Sequence, residues 1–295
     1  MATQLRTLRP APGILAFYDG RVEGYRFAPQ PNWVDEGALS LGTASFAILE
    51  GEEALVYDTH TTLEHGRWIR AALEAEGARR FTVLLSHWHL DHVAGNEAFA
   101  DCEIVAGART AELLREHEQE IEAGEHYGWP PVSPLVHPTR SFAGRKTFQV
   151  GDREMEAIPV NIHSDDAVVL WDPAQRLLLA GDTVEDTVTY VEEPQHFASH
   201  LRDLDQLLAL EPVAVLPSHG DPEAIAGGGY DSGLLSATQD YIRLLQRMPD
   251  EPELRELPLR ELLARQLEAG QLRYFEPYER VHRENVQTVL SAGGS

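Results

Sequence analysis

The sequence predicts an α/β fold in which two β-sheets pack face to face with helices on the outside. Two observations carry that prediction: strand and helix patterns alternate along the chain, and one order of elements occurs twice. In the first half, "ALSLGTASFAILEG" and "EEALVYDT" read as a hairpin turning at residues 50–53. The helical pattern "LEHGRWIRAALEAEG" follows, then the apolar run "FTVLLSH", suited to a buried strand. In the second half, "AVVLWDPAQRLLLAGDT" is again strand, turn and strand. "FASHLRDLDQLLALEP" is again a helix, and "VAVLPSHG" again a buried strand. Each half runs hairpin, Asp-Thr, helix, apolar strand, Ser-His. Asp58-Thr59 corresponds to Asp182-Thr183, and Ser86-His87 to Ser218-His219. A repeat of this length reads as an internally duplicated unit. Two such units pack sheet against sheet.

The individual elements follow from local pattern. The helix at 63–77 has Trp68, Ile69, Ala72 and Leu73 at helical spacing and a glycine stop at Gly77. Residues 108–142, between the halves, read as a charged helix and then a Pro-rich aromatic loop. This connection is longer than a compact fold needs. It is expected to be a lid or pocket wall, with Tyr127 and Trp129 as candidate contacts; a surface excursion or an oligomer contact is the alternative. Beyond His219, helical patterns run to "YERVHRENVQTVL", with a hinge or turn at "AGGGY" (226–230). The part at about 226–295 reads as two or three helices. No long low-complexity linker interrupts the chain, so residues 1–295 are expected to form one domain.

Composition narrows the function. The 295 residues are 43% hydrophobic and 24% charged, as in ordinary soluble proteins, and the formal net charge is −24. Such a field repels nucleic acid and anionic lipid, so neither is an expected partner. The N-terminal segment lacks a signal-peptide pattern, and no run approaches the roughly 18 apolar residues of a membrane span. A cytoplasmic location is the default expectation. The single cysteine, Cys102, excludes an intramolecular disulfide and a thiolate-based zinc site. It lies in the strand-like "DCEIVAG" and reads as a small core residue.

The chemistry concentrates in "SHWHLDHVAGN". His87 and His89 alternate, so an extended segment points both the same way. Asp91 and His92 follow where a helix could start. A loop from strand to helix can present all four in one mouth. His163 in "NIHSDD", Asp182 in "AGDT" and His219 in "PSHG" each sit at or just after a strand-like run. Seven ligand-type side chains thus come from four segments. Histidine and carboxylate suit divalent ions, zinc first, with manganese or iron also accommodated. Trp88, between two ligand positions, points away from them and reads as core packing. The other histidines (His60, His65, His117, His126, His137, His196, His200 and His282) read as solvated or structural, with His126 and His196 as candidates to line a pocket.

At these residues, over roughly 38–222, the chain resembles the metallo-β-lactamase-fold hydrolase superfamily. The resemblance implies a four-layer αββα sandwich, here with extra C-terminal helices, and a two-metal site along one edge. His87, His89 and His163 would hold the first metal; Asp91, His92 and His219 would hold the second. Asp182 would bridge them, and Asp58 would orient a ligand loop by hydrogen bonds. Asp182 stands where many broad-spectrum β-lactamases carry Cys or Ser, and is similar to the lactonase, thioesterase and phosphodiesterase branches. Yet the chain lacks the His-Thr-Pro-Gly-His run of glyoxalase II and the acyl-homoserine lactonases. Its His163-Ser164-Asp165-Asp166 is closer to the His-Ser-x-Asp-Asn of β-lactamases. Glu185 stands where lactonases place a tyrosine; the nearest is Tyr190. The loop "YRFAPQPNWVDEGALS" puts Tyr25, Phe27 and Trp33 where the superfamily often has a loop over the metals.

The expected function is a metal-dependent hydrolase of a small carbonyl substrate, an ester or lactone first. It would use a hydroxide held between two metal ions, and Asp91 would orient that hydroxide and pass a proton to the leaving group. The alternatives are a β-lactam or thioester hydrolase, a phosphodiesterase, a mononuclear-iron enzyme like the persulfide dioxygenases, or a metal-stabilised interaction scaffold. The 108–142 excursion and the last helices would supply a homodimer interface if one forms.

Overall fold

The computed structural model describes residues 4–292. At one edge, β1 (Arg6–Ala11) and β2 (Ile14–Asp19) form a hairpin turned at Pro12-Gly13. Sequence pattern had not marked this pair as strands, although all six residues of β2 are buried. The first repeat then follows. β3 (Thr43–Glu50) and β4 (Glu53–Tyr57) are antiparallel with Glu50 opposite Glu53. Helix α1 (Leu63–Ala75) crosses to β5 (Arg80–Leu84), which lies parallel to β4. The Thr62 hydroxyl caps α1 by accepting the His65 N–H, and Gly77 leaves it with a φ of 106° that glycine adopts freely. The short helix α2 (Leu90–Val93) begins at the histidine motif, and β6 (Glu103–Gly107) extends the sheet.

The excursion holds two helices, α3 (Ala108–Glu116) and α4 (Glu118–Ala123), where the sequence suggested one. It ends in β7 (Arg140–Phe142), parallel to β6, so the first sheet has seven strands in sequential order. Cys102 precedes β6 and is half-buried, not a strand residue of the core. The second sheet has five strands. β8 (Lys146–Val150) and β9 (Arg153–Pro159) pair with the second hairpin, β10 (Val168–Asp172) and β11 (Leu177–Gly181). Helix α5 (Phe197–Ala209) then crosses to β12 (Ala214–Pro217), parallel to β11. Each half therefore repeats an antiparallel hairpin followed by a right-sized helical crossover to a parallel strand.

Alternation along the strands builds three cores. Phe46 and Ile48 of β3, Leu170 of β10 and Leu179 of β11 meet between the sheets. Ala47 faces outward to Ile69 and Leu73 of α1. Val169, Trp171 and Leu178 face α5 and the C-terminal helices. Strands buried on both faces read as continuous apolar runs, which is why β10, β11 and β12 are visible in the sequence. The C-terminal part comprises α6 (Pro222–Ala226), the long α7 (Gly233–Arg247), three short helices and the long α11 (Tyr278–Ala292). The short ones are α8 (Pro252–Arg255), α9 (Leu259–Leu262) and α10 (Ala264–Glu268). The "AGGGY" segment is a tightly held turn: a Cβ on Gly229 would lie 2.5 Å from the Val215 carbonyl oxygen. No helix among the described residues is long and apolar enough to cross a membrane.

Candidate metal centre

The two Ser-His corners lie at matching strand ends, and each is locked to the opposite hairpin. Ser86 accepts the Val168 N–H through its carbonyl at 2.7 Å, and Ser218 accepts the Ala44 N–H at 2.8 Å. These paired backbone bonds bring the ends of β5, β11 and β12 to one edge of the sandwich. Asp58, at the end of β4, is fully buried and ties the motif loop down. Its carboxylate accepts the Ser86 N–H at 2.7 Å and faces His92 Nδ1 at 2.8 Å. Asp58, His60 and His163 have φ values of 68°, 73° and 68°, a left-handed backbone that costs energy for residues with a Cβ. Two of these are predicted site residues, and the third bonds Thr43 beside them.

The side chains gather in two groups. His87, His89 and His163 form one; Asp91, His92, Asp182 and His219 form the other, and within each group the ligand atoms lie within 4.8 Å of one another. His89 turns Nδ1 inward, 3.0 Å from His163 Nε2. Asp182 Oδ2 stands between the groups. It is 3.7 Å from His87 Nε2 and 3.8 Å from His163 Nε2 on one side, and 3.1 Å from His92 Nε2 and 3.2 Å from His219 Nε2 on the other. Asp91 Oδ2 lies 3.2 Å from His219 Nε2.

The outer ring nitrogens are engaged: His87 Nδ1 with Ser86 Oγ at 2.9 Å, His92 Nδ1 with Asp58, and His219 Nδ1 with the Gly42 carbonyl at 2.8 Å. The Asp58 carboxylate and the Gly42 carbonyl can only accept, so they place the proton of His92 and His219 on Nδ1 and turn Nε2 inward as the ligand atom. His87 Nε2 and Asp182 Oδ1 are buried and have no hydrogen-bond partner among the described residues. Burial lowers His89 and His163 to a pKa of about 4 and His87 well below its ordinary value; neighbouring histidines add to it at His87 and His163, and at His89 burial outweighs Asp91 and Asp182, so all three are neutral. Burial also disfavours charge on His92 and His219, but Asp182 and the other nearby carboxylates outweigh it and raise both. Convergent lone pairs, buried orphan atoms and carboxylates facing imidazoles fit a divalent cation set.

A cavity of about 240 Å³ opens onto this edge. Asp91, His89, His163, Asp182 and His219 contribute to its floor, with Trp33, Tyr127 and Tyr190 among its walls. Trp129 is not a lining residue: it packs against Phe27 with ring centroids 5.7 Å apart. The Trp33 indole N–H donates to the Pro130 carbonyl at 2.8 Å, which joins the N-terminal loop to the 108–142 excursion. Glu192, Leu41 and Ala38 also line the cavity. Sequence reading missed them because they lie on loops or turns without a motif. Ala38 belongs to a wide helical turn, Val34–Leu39, whose Ser40 N–H reaches back to the Asp35 carbonyl. Glu185 is buried and does not line the cavity; its carboxylate accepts the Tyr190 N–H at 3.3 Å and so helps hold Tyr190 there. His196 pairs with Glu193 outside the cavity, and Trp88 is buried as expected for a core residue. A larger cleft of about 640 Å³ on the far side of the Val34–Leu39 turn touches none of the seven ligand-type residues.

Fold and site together define a metallo-β-lactamase-type protein. The family model for the Metallo-beta-lactamase superfamily matches residues 40–219, more than half of the chain, and the chain belongs to that superfamily of metallohydrolases. Among curated relatives, the chain is 24% identical over 189 residues to the beta-lactamase-like protein 2 homolog of Drosophila melanogaster, covering 61% of this chain and 59% of that one. It is 26% identical over 174 residues to the acyl-coenzyme A thioesterase MBLAC2 of Gallus gallus, covering 52% and 62%. The match therefore spans about three-fifths of the length of either relative. Among solved structures, a metallo-beta-lactamase from Pontibacter korlensis superposes with a TM-score of 0.61 at 20% identity, over 81% of this chain and 99% of that one. The DIM-1 metallo-beta-lactamase does so with a TM-score of 0.60 at 20% identity, over 82% and 98%.

Proposed function

We propose that this protein is a dinuclear metallohydrolase of small acyl substrates, namely esters, lactones or thioesters. The observation that carries this reading is the position of Asp182 Oδ2 between the two imidazole groups, within 3.8 Å of four ring nitrogens. His87, His89 and His163 would hold one ion and Asp91, His92 and His219 the other, with Asp182 shared. When bound, such ions, zinc being the best match to this donor set, would supply Lewis acidity to activate a water and a substrate carbonyl.

The chain supplies the rest. Asp58 and the Gly42 carbonyl hold His92 and His219 with Nδ1–H outward. Asp91 is the ligand-type carboxylate most open to the cavity, so it would orient the attacking water and pass its proton to the leaving group. Burial raises the phenol of Tyr127, so it stays protonated and would donate to a substrate oxygen; Tyr190, also raised by burial, directs its hydroxyl to Glu284 and would serve as a wall. Trp33, Leu41 and Ala38 offer an apolar wall to an acyl chain. Glu192 sits at the cavity with Oε1 3.8 Å from His89 Nε2, which disfavours anionic substituents there. The acyl-coenzyme A thioesterase relative supports including thioesters in the class.

The test is turnover of a panel of neutral aryl esters, lactones, acyl thioesters and a chromogenic β-lactam by zinc-loaded and chelator-treated protein. Chelator-sensitive hydrolysis of an acyl substrate is expected, and its loss in Asp182→Ala. Bound zinc without hydrolysis of any panel member would overturn the reading. So would iron as the sole tightly bound metal with oxygen uptake on a thiol substrate.

A further inference from the structure

The excursion between the two halves carries a second convergence of ligand-type side chains, outside the centre described above. His117 lies at the junction of α3 and α4, Glu120 is in the first turn of α4, and His126 follows the turn at Gly124. Glu120 Oε2 is 3.1 Å from His117 Nδ1 and 3.7 Å from His126 Nδ1. The ligand atoms of all three lie within 4.8 Å of one another. Donors about 2.0–2.1 Å from a tetrahedral ion are about 3.4 Å apart, so these separations already match one ion.

The backbone holds the cluster in place. Gly124 adopts a φ of 72° and turns the chain back, and the N–H groups of Glu125 and His126 both donate to the Glu120 carbonyl, at 2.8 and 3.3 Å. The buried Trp88 indole backs both imidazoles, with its centroid 4.8 Å from each. Glu120 is exposed and the two histidines are half-buried, so an ion and a completing water have access.

We infer that His117, Glu120 and His126 form an auxiliary divalent-metal site of the two-histidine, one-carboxylate type, with water as the remaining ligand. The bound ion would pin the excursion onto Trp88, which lies between His87 and His89. It would also set the position of Tyr127, the residue after His126, whose ring is 4.3 Å from His126 and 6.1 Å from His89 and which lines the cavity. The site is thus a clamp on one cavity wall. It stands on this cluster alone and does not depend on the hydrolase reading.

The test uses the full chain, stripped of metal and reloaded with zinc, and measures zinc per chain by native mass spectrometry. Hydrogen exchange over residues 117–127 is followed with and without zinc. His126→Asn and the near-isosteric Glu120→Gln are each expected to hold one zinc fewer than the parent. Zinc should slow exchange in this segment in the parent and in Asp182→Ala, but not in His126→Asn or Glu120→Gln. Equal zinc content in the parent and both excursion variants, with exchange indifferent to zinc, would overturn the inference and leave a metal-free ion pair. Zinc-dependent protection in Asp182→Ala would support it even if the protein hydrolysed nothing.

Discussion

Asp58 does not line the cavity, yet it holds the motif loop through two bonds. One oxygen holds the Ser86 N–H and the other holds His92 Nδ1, and both partners are buried. Asn at this position would present an amide N–H to one of two donors and leave it unsatisfied. Asp58→Asn is therefore expected to weaken metal binding about 10- to 100-fold, read by competition with a chromogenic chelator; affinity equal to the parent would contradict the role given to Asp58. The residues of "SHWHLDHVAGN" were legible because their spacing is local and their chemistry uncommon. Glu192 was not, because a carboxylate on a loop carries no pattern until the fold brings it to His89. The same limit explains Trp129 and Trp33. Both aromatic residues looked suitable, and only the contact between the two loops turns Trp33 towards the cavity and Trp129 onto Phe27.

The motif loop is also shaped by close packing between elements. Gly95, which follows α2, sits against the segment leading into α1: a Cβ there would lie 2.0 Å from the Thr59 carbonyl oxygen and 3.1 Å from the Gly66 Cα. Its φ of −86° is open to any residue, so space and not backbone preference demands glycine. Gly95→Ala must push the motif loop away from Asp58-Thr59, and a destabilisation of about 1–3 kcal/mol is expected in urea unfolding. An unchanged midpoint would show that the loop yields without cost. At this scale the sequence revealed both repeated hairpins, α1, α5 and the strands ending in Ser-His, where apolar runs coincide with the repeated order of elements. It did not reveal β1, β8 or β9, whose alternating or exposed residues resemble loop sequence, nor β2, which is buried throughout but lies outside the repeat. Nor did it reveal β7, a three-residue edge strand that pairs only with β6.

At the scale of the whole molecule, the candidate centre joins segments from both halves, so an ion bound there would link metal binding to folding. An ion that binds only the folded chain stabilises it by about 2.7 kcal/mol at a concentration a hundred times its dissociation constant. Zinc added to stripped protein is accordingly expected to raise the melting temperature, and Asp182→Ala to lose most of that rise; an equal rise in both, measured by scanning calorimetry, would locate the stabilising ion elsewhere. The repeated order of elements explains how the halves meet. Each Ser-His corner bonds the opposite hairpin, so both corners reach the same edge. The sequence by itself determined the order of elements, their repetition and the kinds of side chain at the strand ends, because periodicity and short motifs are written in neighbouring residues. Only the tertiary structure decided that Asp182 stands between two imidazole groups, which nitrogen of each ring points inward, and which loop residues wall the cavity. Those relations join residues up to 177 positions apart, as His219 and Gly42 show. They exist only once two sheets have packed and their matching ends have converged.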